Sequence, residues 1–416
     1  MGINYYHDVD VHSGYLSSGR GIDSHTCMLS EINSHRYEYP SKNYSGTGIV
    51  IVGGGKKYFT CVWVLINMLR HFNCSLPIEL WHLGPREMND TMKKLIEPLG
   101  VDCVNSRTTR LEHPARTLNG WEVKPYSIIF SKFRHVLFID ADNVPTQNPQ
   151  FLFGSQQYLD NGSVFWPDQG SLKRGSIMWD VCNTKSLNEK EFETGQMLID
   201  KSRCWKALQI TMHMNEYSDF YYRHIHGDKE TFHFAWILSG TGYHLIPRTH
   251  EKHRGVFYQD GTHGEILFQH RTGCKWDYYN PPNVNKRFRF ERRCVDYIKK
   301  LRSLWDGEVV SQMNRQWPNG EEAKMMIESA GEYLYFQRDK NGIEQEVRTI
   351  KLEENGIISS GFKSSERSWK IVQDEGRVCL DIYGDGGQTC RLYRDGEEWR
   401  GWWVISNRRE AALRPR

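Results

Sequence analysis

Two carboxylates separated by one small residue, Asp140-Ala141-Asp142, follow directly on the apolar run Val136-Leu137-Phe138-Ile139. An apolar stretch of this length reads as a buried strand, so both acids are expected at a polar site where that strand ends. Residues i and i+2 of a strand share a face, which lets Asp140 and Asp142 reach one hard cation together. Such a cation, Mn²⁺ or Mg²⁺, also takes phosphate oxygens. Far downstream, His270-Arg271-Thr272-Gly273-Cys274-Lys275 offers an imidazole, a glycine and a cation in close succession. The imidazole suits Mn²⁺, Gly273 permits close backbone approach, and Lys275 can neutralise diphosphate charge. Asp140, Asp142 and His270 are therefore the candidate metal ligands.

Two acidic motifs lie between these anchors. Phe192-Glu193-Thr194-Gly195-Gln196-Met197 sets a carboxylate and an amide three apart, ahead of a run read as helical. Glu193 also fits a simple helix-start acid. His226-Gly227-Asp228-Lys229-Glu230 leads into an aromatic helix from Phe232 to Leu238, where Asp228 also fits an N-cap. Asp228, Glu193 and Gln196 form the candidate catalytic set. Lys124 begins the helix before the carboxylate strand and is placed to touch phosphate or ribose, and its spacing fits a solvated lysine equally well. Gly53-Gly54-Gly55 follows the strand Gly48–Val52 and lets backbone approach a nucleotide. Its spacing is that of neither the dinucleotide fingerprint nor the P-loop. Gly53, Gly54, Lys124, Gly273 and Lys275 make up the candidate nucleotide-binding set.

The elements that must position these residues alternate between strand and helix. Gly48–Val52, Ile78–His82, Val101–Val104 and the run from Val136 read as strands, with helical patterns at Cys61–Leu69, Met92–Leu99 and Tyr126–Phe130 between them. This order predicts an α/β, Rossmann-like, mostly parallel sheet with ligands at the strand ends. A chain of 416 residues is long enough for two domains. Residues 1–45 read as a polar arm or cap, 46–305 as the α/β domain and 306–330 as a linker containing Trp317-Pro318-Asn319-Gly320. Residues 331–416 read as a small antiparallel β-module, with strands near Tyr333, Trp369, Val378 and Cys390 and turns at Gly384-Asp385-Gly386-Gly387 and Asp395-Gly396. Alternation places Trp402 and Trp403 on opposite faces, so the module offers one ring to a ligand or to a second copy of the chain.

Composition narrows the class. The 54 basic and 51 acidic side chains leave a formal charge of +3, which argues against a nucleic-acid partner. The ten cysteines include no Cys-x-x-Cys pair, so reduced thiols are the default, with Cys379 and Cys390 the one pair placed to meet across a hairpin. No stretch approaches about 20 apolar residues, and the start carries no charged-then-apolar leader pattern. A cytoplasmic or membrane-peripheral enzyme is expected, and a Golgi lumen location requires an anchor outside this sequence.

Taken together, residues from about Gly48 to Trp276 resemble the fungal-type α-mannosyltransferases of glycosyltransferase family 71. The resemblance rests on Phe138–Asn143, Glu193–Asp200 and Gly227–Phe232, with His270 similar to the third metal ligand of glycogenin-like retaining enzymes. It implies a GT-A fold, Mn²⁺, a nucleotide-sugar donor (GDP-mannose first, a UDP-sugar second) and transfer to a glycan, polysaccharide or glycolipid with retention of anomeric configuration. The alternatives are a sugar nucleotidyltransferase, whose Gly-x-Gly-Thr-Arg type signature is missing, and a glycan-binding protein with an inactive GT-A-like domain.

Overall fold

The computed structural model describes residues 20–416 apart from residues 86, 119, 248, 280–286, 310–324, 326–327, 339–343, 355, 362–365, 375–376, 385–386 and 404–409. The arm before residue 20, the linker around Trp317-Pro318-Asn319-Gly320 and the turn residues Asp385 and Gly386 lie outside the described residues. The chain divides into two compact units, Met1–Val309 and Val310–Arg416.

In the first unit, β-branched runs form the centre of a seven-stranded sheet. Strands β1 (Thr47–Val52), β2 (Ile78–His82), β3 (Val101–Asn105) and β4 (His135–Ile139) are parallel in the order β3-β2-β1-β4. Strands β5 (Asn143–Pro145), β6 (Ser163–Ser171), β7 (Lys190–Asp200) and β8 (His244–Leu245) follow, and β7, β6 and β8 extend the sheet beyond β4. Strand β7 runs antiparallel to both β4 and β6. Alternation sorts the two faces. Ile49, Ile51, Leu137 and Ile139 pack with the helix Gly55–His71 in one core. Val50, Val136 and Phe138 pack in another with the helices Val123–Phe130, Lys201–Glu216 and Asp228–Ser239. A sheet covered by helices on both faces is the arrangement a parallel sheet requires.

The residues from Phe192 to Asp200 are strand β7, which corrects the helical reading of that run and of Glu193 as a helix-start acid. All of them are buried between β4 and β6. A strand enclosed on both faces loses its period-2 pattern, which makes a short apolar run ambiguous. A second, four-stranded sheet has the order β5-β11-β10-β9, from β9 (Thr249–His253), β10 (Val256–Asp260) and β11 (Ile266–His270). Within the segment read as an arm or cap, Arg20–Ser34 is a helix with His25 and Leu29 buried. At its other end the unit runs on to Val309. Trp305 is buried against Phe59 and Tyr278, and Asn89 Nδ2 donates to the carbonyls of Glu308 and Val309.

The second unit contains an antiparallel eight-stranded sheet of β12 (Gly331–Arg338), β13 (Glu344–Leu352), β14 (Ile358–Ser360), β15 (Ser368–Asp374), β16 (Arg377–Gly384), β17 (Gly387–Asp395), β18 (Glu398–Trp403) and β19 (Glu410–Pro415). Their order is β14-β13-β12-β19-β18-β17-β16-β15. Tyr335, Ile371, Leu380, Leu392, Trp399 and Leu413 form its core. Trp402 is 49% exposed, whereas Trp403 packs on that core and donates its Nε1 hydrogen to Tyr335 Oη at 2.7 Å. Cys390 lies opposite Ile382 and Cys379 opposite Tyr393, so these thiols do not meet, and all ten cysteines are free. Among the described residues no helix is long and apolar enough to cross a membrane.

Candidate active site

Asp140 and Asp142 converge through a tight turn rather than through strand alternation. Strand β4 ends at Ile139, and the Asn143 amide donates back to the Asp140 carbonyl at 3.0 Å, closing the turn Asp140-Ala141-Asp142-Asn143. The chain then enters β5, where Asn143 lies in register with His270 of β11. That register brings a residue from far along the chain beside Asp142. His270 Nε2 is 3.3 Å from Asp142 Oδ1 and 3.8 Å from Asp140 Oδ2, and the three ligand atoms fall within 4.8 Å of one another.

Around these three sit the other charged residues that the sequence singled out. Lys124, in the first turn of the helix Val123–Phe130, is buried, with Nζ 3.2 Å from Asp140 and 3.0 Å from Asp228. Its reading as a solvated lysine is therefore replaced by a buried bridge. Asp228 is the first residue of the helix Asp228–Ser239, and Gly227 holds the N-cap position. The Asp228 carboxylate faces Lys124 and also accepts from Thr194 Oγ1 at 3.2 Å, so it is not the N-cap. Lys275 contacts Asp142 directly. Glu193 Oε1 accepts from His270 Nδ1 at 3.0 Å and from the Gly195 amide at 3.0 Å, and its Oε2 accepts from Gln196 Nε2 at 3.2 Å. Gln196 is fully buried and also bonds to Asn143 and Gln259.

The glycines differ in what they do. A Cβ on Gly53 would lie 2.7 Å from Val62, and one on Gly54 would lie 2.6 Å from Glu87, so both are places of close packing at the start of the helix Gly55–His71. Gly273 donates its amide to the Gly255 carbonyl and meets that backbone at 3.2 Å from its own ideal Cβ, which makes it a loop-to-loop contact. Gly195 is the tightest of these four. A Cβ there would lie 2.4 Å from His270 Nδ1 and 2.7 Å from Glu193 Oε1.

Electrostatics fit a divalent cation. The cluster holds four carboxylates, Asp140, Asp142, Glu193 and Asp228, against two ammonium groups, Lys124 and Lys275. Two negative charges remain when the imidazole is neutral, which is the charge of one Mn²⁺ or Mg²⁺. In the protein alone a proton serves in part. Burial works against a charged His270, but Asp142 and Glu193 on its two ring nitrogens hold it protonated well above its ordinary range. Burial would likewise raise the Asp142 carboxyl, yet His270 and Lys275 hold it below its ordinary range. For Asp140 burial prevails over Lys124 and His270, and its carboxyl is raised. Two carboxylate oxygens and one imidazole are a donor set suited to Mn²⁺. Glu193 on Nδ1 leaves Nε2 as the ligand atom, the outer-shell arrangement common at metal-bound histidines. Sequence reasoning passed over Thr194, Asn143 and Gln259. Gln259 stands in no motif, whereas Thr194 and Asn143 were in view inside motifs read for their neighbours.

A mostly parallel sheet whose central strand β4 ends in an Asp-x-Asp turn, met there by a distant histidine, defines a GT-A-type α/β fold. The chain belongs to the family described as "Mannosyltransferase putative", whose profile matches residues 46–191 and 176–260, just over half of it. It is similar to the α-1,2-mannosyltransferase MNN2 of Saccharomyces cerevisiae, 25% identical over 279 residues, covering 56% of this chain and 46% of that protein. MNN5 of the same yeast is 28% identical over 290 residues, covering 55% of this chain and 49% of that one. The chain thus spans about half the length of the curated relatives it matches. Among solved structures, it is similar to the galactosyltransferase LgtC in complex with donor and acceptor sugar analogs, with a TM-score of 0.41 at 13% identity over 62% of this chain and 100% of that one. The glycosyltransferase GlyE of Streptococcus pneumoniae TIGR4 gives a TM-score of 0.39 at 14% identity, covering 62% and 64%.

Proposed function

We propose that this chain is a metal-dependent glycosyltransferase that moves a mannosyl group from a nucleotide sugar to a glycan, polysaccharide or glycolipid acceptor with retention of anomeric configuration. The observation that carries the reading is the convergence of Asp140, Asp142 and His270 within a cluster that carries two net negative charges when the imidazole is neutral. GDP-mannose is the first donor to test and a UDP-sugar the second. Bound by these three residues, Mn²⁺ or Mg²⁺ supplies electrostatic stabilisation of the charge that develops on the departing diphosphate.

The chain's own residues divide the remaining work. Lys275 lies on the outer oxygen of Asp142 and is the cation at hand for the diphosphate. Glu193 has both oxygens engaged, which makes it a positioning residue for His270 rather than a nucleophile. Gln196, fully buried, positions Glu193 in turn. Asp228 is left as the carboxylate for the reacting sugar. Lys124 and Thr194 hold its Oδ2, leaving Oδ1 for the sugar. Carboxylate attack uses such an anion as the nucleophile, and in departure and attack on one face it stabilises the oxocarbenium-like centre alongside the departing diphosphate. In transfer the C1–O bond to the diphosphate breaks, a C1–O bond to an acceptor hydroxyl forms, and that hydroxyl's proton leaves with the diphosphate. The ten free cysteines support a reducing compartment, and we place the enzyme in the cytoplasm or at a membrane periphery.

A panel of nucleotide sugars screened for thermal stabilisation tests this reading. A ligand at 100 times its Kd adds about 2.7 kcal/mol. The expected result is a raised midpoint with GDP-mannose that requires Mn²⁺. No shift with any nucleotide sugar, with or without Mn²⁺, would overturn it.

A further inference from the structure

The acidic cluster has two chemically different ends. At one, Lys275 lies on Asp142 and over the half-exposed ring of Tyr58, beside the start of the helix Gly55–His71. A helix N-terminus and an ammonium suit a diphosphate. At the other end the cation is already spoken for. Lys124 Nζ is shared by Asp140, Asp228 and both oxygens of Thr194. What this end offers outward is an aromatic ring.

Trp121 is 56% exposed, although an indole is ordinarily well buried. It is held in place nonetheless. Its six-membered ring closes over Gly227, where a Cβ would lie 2.7 Å from Cε3 and Cζ3. Gly227 also sits at φ +76°, so both the contact and the backbone require glycine. Tyr222 and His226 flank the indole, with centroids at 5.9 Å and 6.4 Å. Two links tie it to the cluster. Gly227, under the indole, is bonded to Asp228, and the Lys124 amide donates to the Trp121 carbonyl at 3.0 Å.

We propose that Trp121 is the stacking platform for a neutral pyranose of the acceptor glycan, holding that sugar with a hydroxyl toward Asp228. The assignment to the acceptor rests on the transferase reading; the stacking of a sugar does not. Its neighbours Tyr222, His226 and Gly227 bring no permanent cation to the ring, and an apolar ring favours the C–H face of an uncharged sugar over a phosphate. The donor's own sugar is tethered to a diphosphate at the Lys275 end and lies against the metal ligands. The platform past Asp228 is left to the acceptor.

Saturation-transfer NMR of the full chain with methyl hexopyranosides of mannose, glucose and galactose needs no turnover. The expected result is transfer to at least one glycoside in the wild type, lost in Trp121→Ala and kept in Trp121→Phe. Steady-state transfer from GDP-mannose should show acceptor KM raised about tenfold in Trp121→Ala, with Trp121→Phe restoring most of it. Equal saturation in wild type and Trp121→Ala, or none in either, would overturn the proposal. So would a loss that falls on the KM for the nucleotide sugar, which would put the donor's sugar on the ring. Glycoside binding that depends on Trp121 in a protein that transfers nothing would sink the transferase reading and leave the platform standing.

Discussion

Replacing Gly195 by alanine tests the metal site through a residue that is not itself a ligand. The new Cβ would lie 2.4 Å from His270 Nδ1 and 2.5 Å from Cε1, against about 3.5–4.0 Å for an unstrained contact. The backbone cannot retreat, because the Gly195 carbonyl accepts from the Asp140 amide at 2.8 Å and from Asn143 Nδ2 at 3.0 Å. The imidazole must therefore give way by about 1 Å, well beyond the ±0.2 Å that metal–ligand distances tolerate. Removing an outer-shell partner already costs about 10–100-fold in metal affinity, and Gly195→Ala should cost at least that much. Overpacking of this kind costs about 1–3 kcal/mol, or about 2–4 °C of midpoint per kcal/mol in a domain somewhat smaller than this one. Free Mn²⁺ measured by electron paramagnetic resonance during titration gives the affinity, and a thermal melt shows that the variant is folded. A Gly195→Ala protein that binds Mn²⁺ as tightly as wild type would refute the placement of His270.

The other predictions follow from the same cluster and from one buried histidine. Asp140→Ala and Asp142→Ala should each abolish transfer and Mn²⁺-dependent donor binding while the melt stays cooperative; full activity in EDTA would contradict the assignment. Asp228→Asn should cut turnover by about 10²–10³-fold, the scale of a lost electrostatic group at the reacting centre. Glu230→Gln, whose parent carboxylate only accepts from the His226 amide, should cost about tenfold at most; comparable small losses in both would return Asp228 to a structural role. His213 is buried, and burial, with His25 and Arg116 adding, pushes it from 6.5 down to about 3. The unfolded chain takes up a proton near 6.5 while the folded one stays neutral. The stability is therefore complete above that pH and is lost as pH falls toward 3, by about 2 kcal/mol at pH 5 for this group. Thermal melts at pH 7 and pH 5 should show a smaller drop for His213→Gln than for wild type, and equal drops would contradict this.

The parallel half of the sheet was legible because its strands are unbroken apolar runs between glycine and polar breaks, as at Gly48–Val52 and Val136–Ile139. That Asp140, Asp142 and His270 stand together was anticipated from their types, two carboxylates one residue apart and an imidazole, which suit one cation. Less was legible where partners are far apart. Nothing near Lys124 announces that it bridges Asp140 and Asp228, since those contacts span 16 and 104 positions. Glu193 was misplaced on a helix because a strand buried on both faces carries no alternation. Its bond to His270 depends on the register of β5 against β11, which long-range pairing sets and local sequence does not. Trp121 went unweighed because its neighbour Gly227 is more than a hundred residues away and explains the ring only once both are placed.

The most direct test of retaining, metal-dependent mannosyl transfer is proton NMR of the product formed from GDP-mannose and an acceptor glycoside with Mn²⁺. The account predicts a new α-linked mannosyl residue whose formation stops on adding EDTA and resumes with excess Mn²⁺. A β-linked product, or an α-linked product that forms equally well in EDTA, would contradict it.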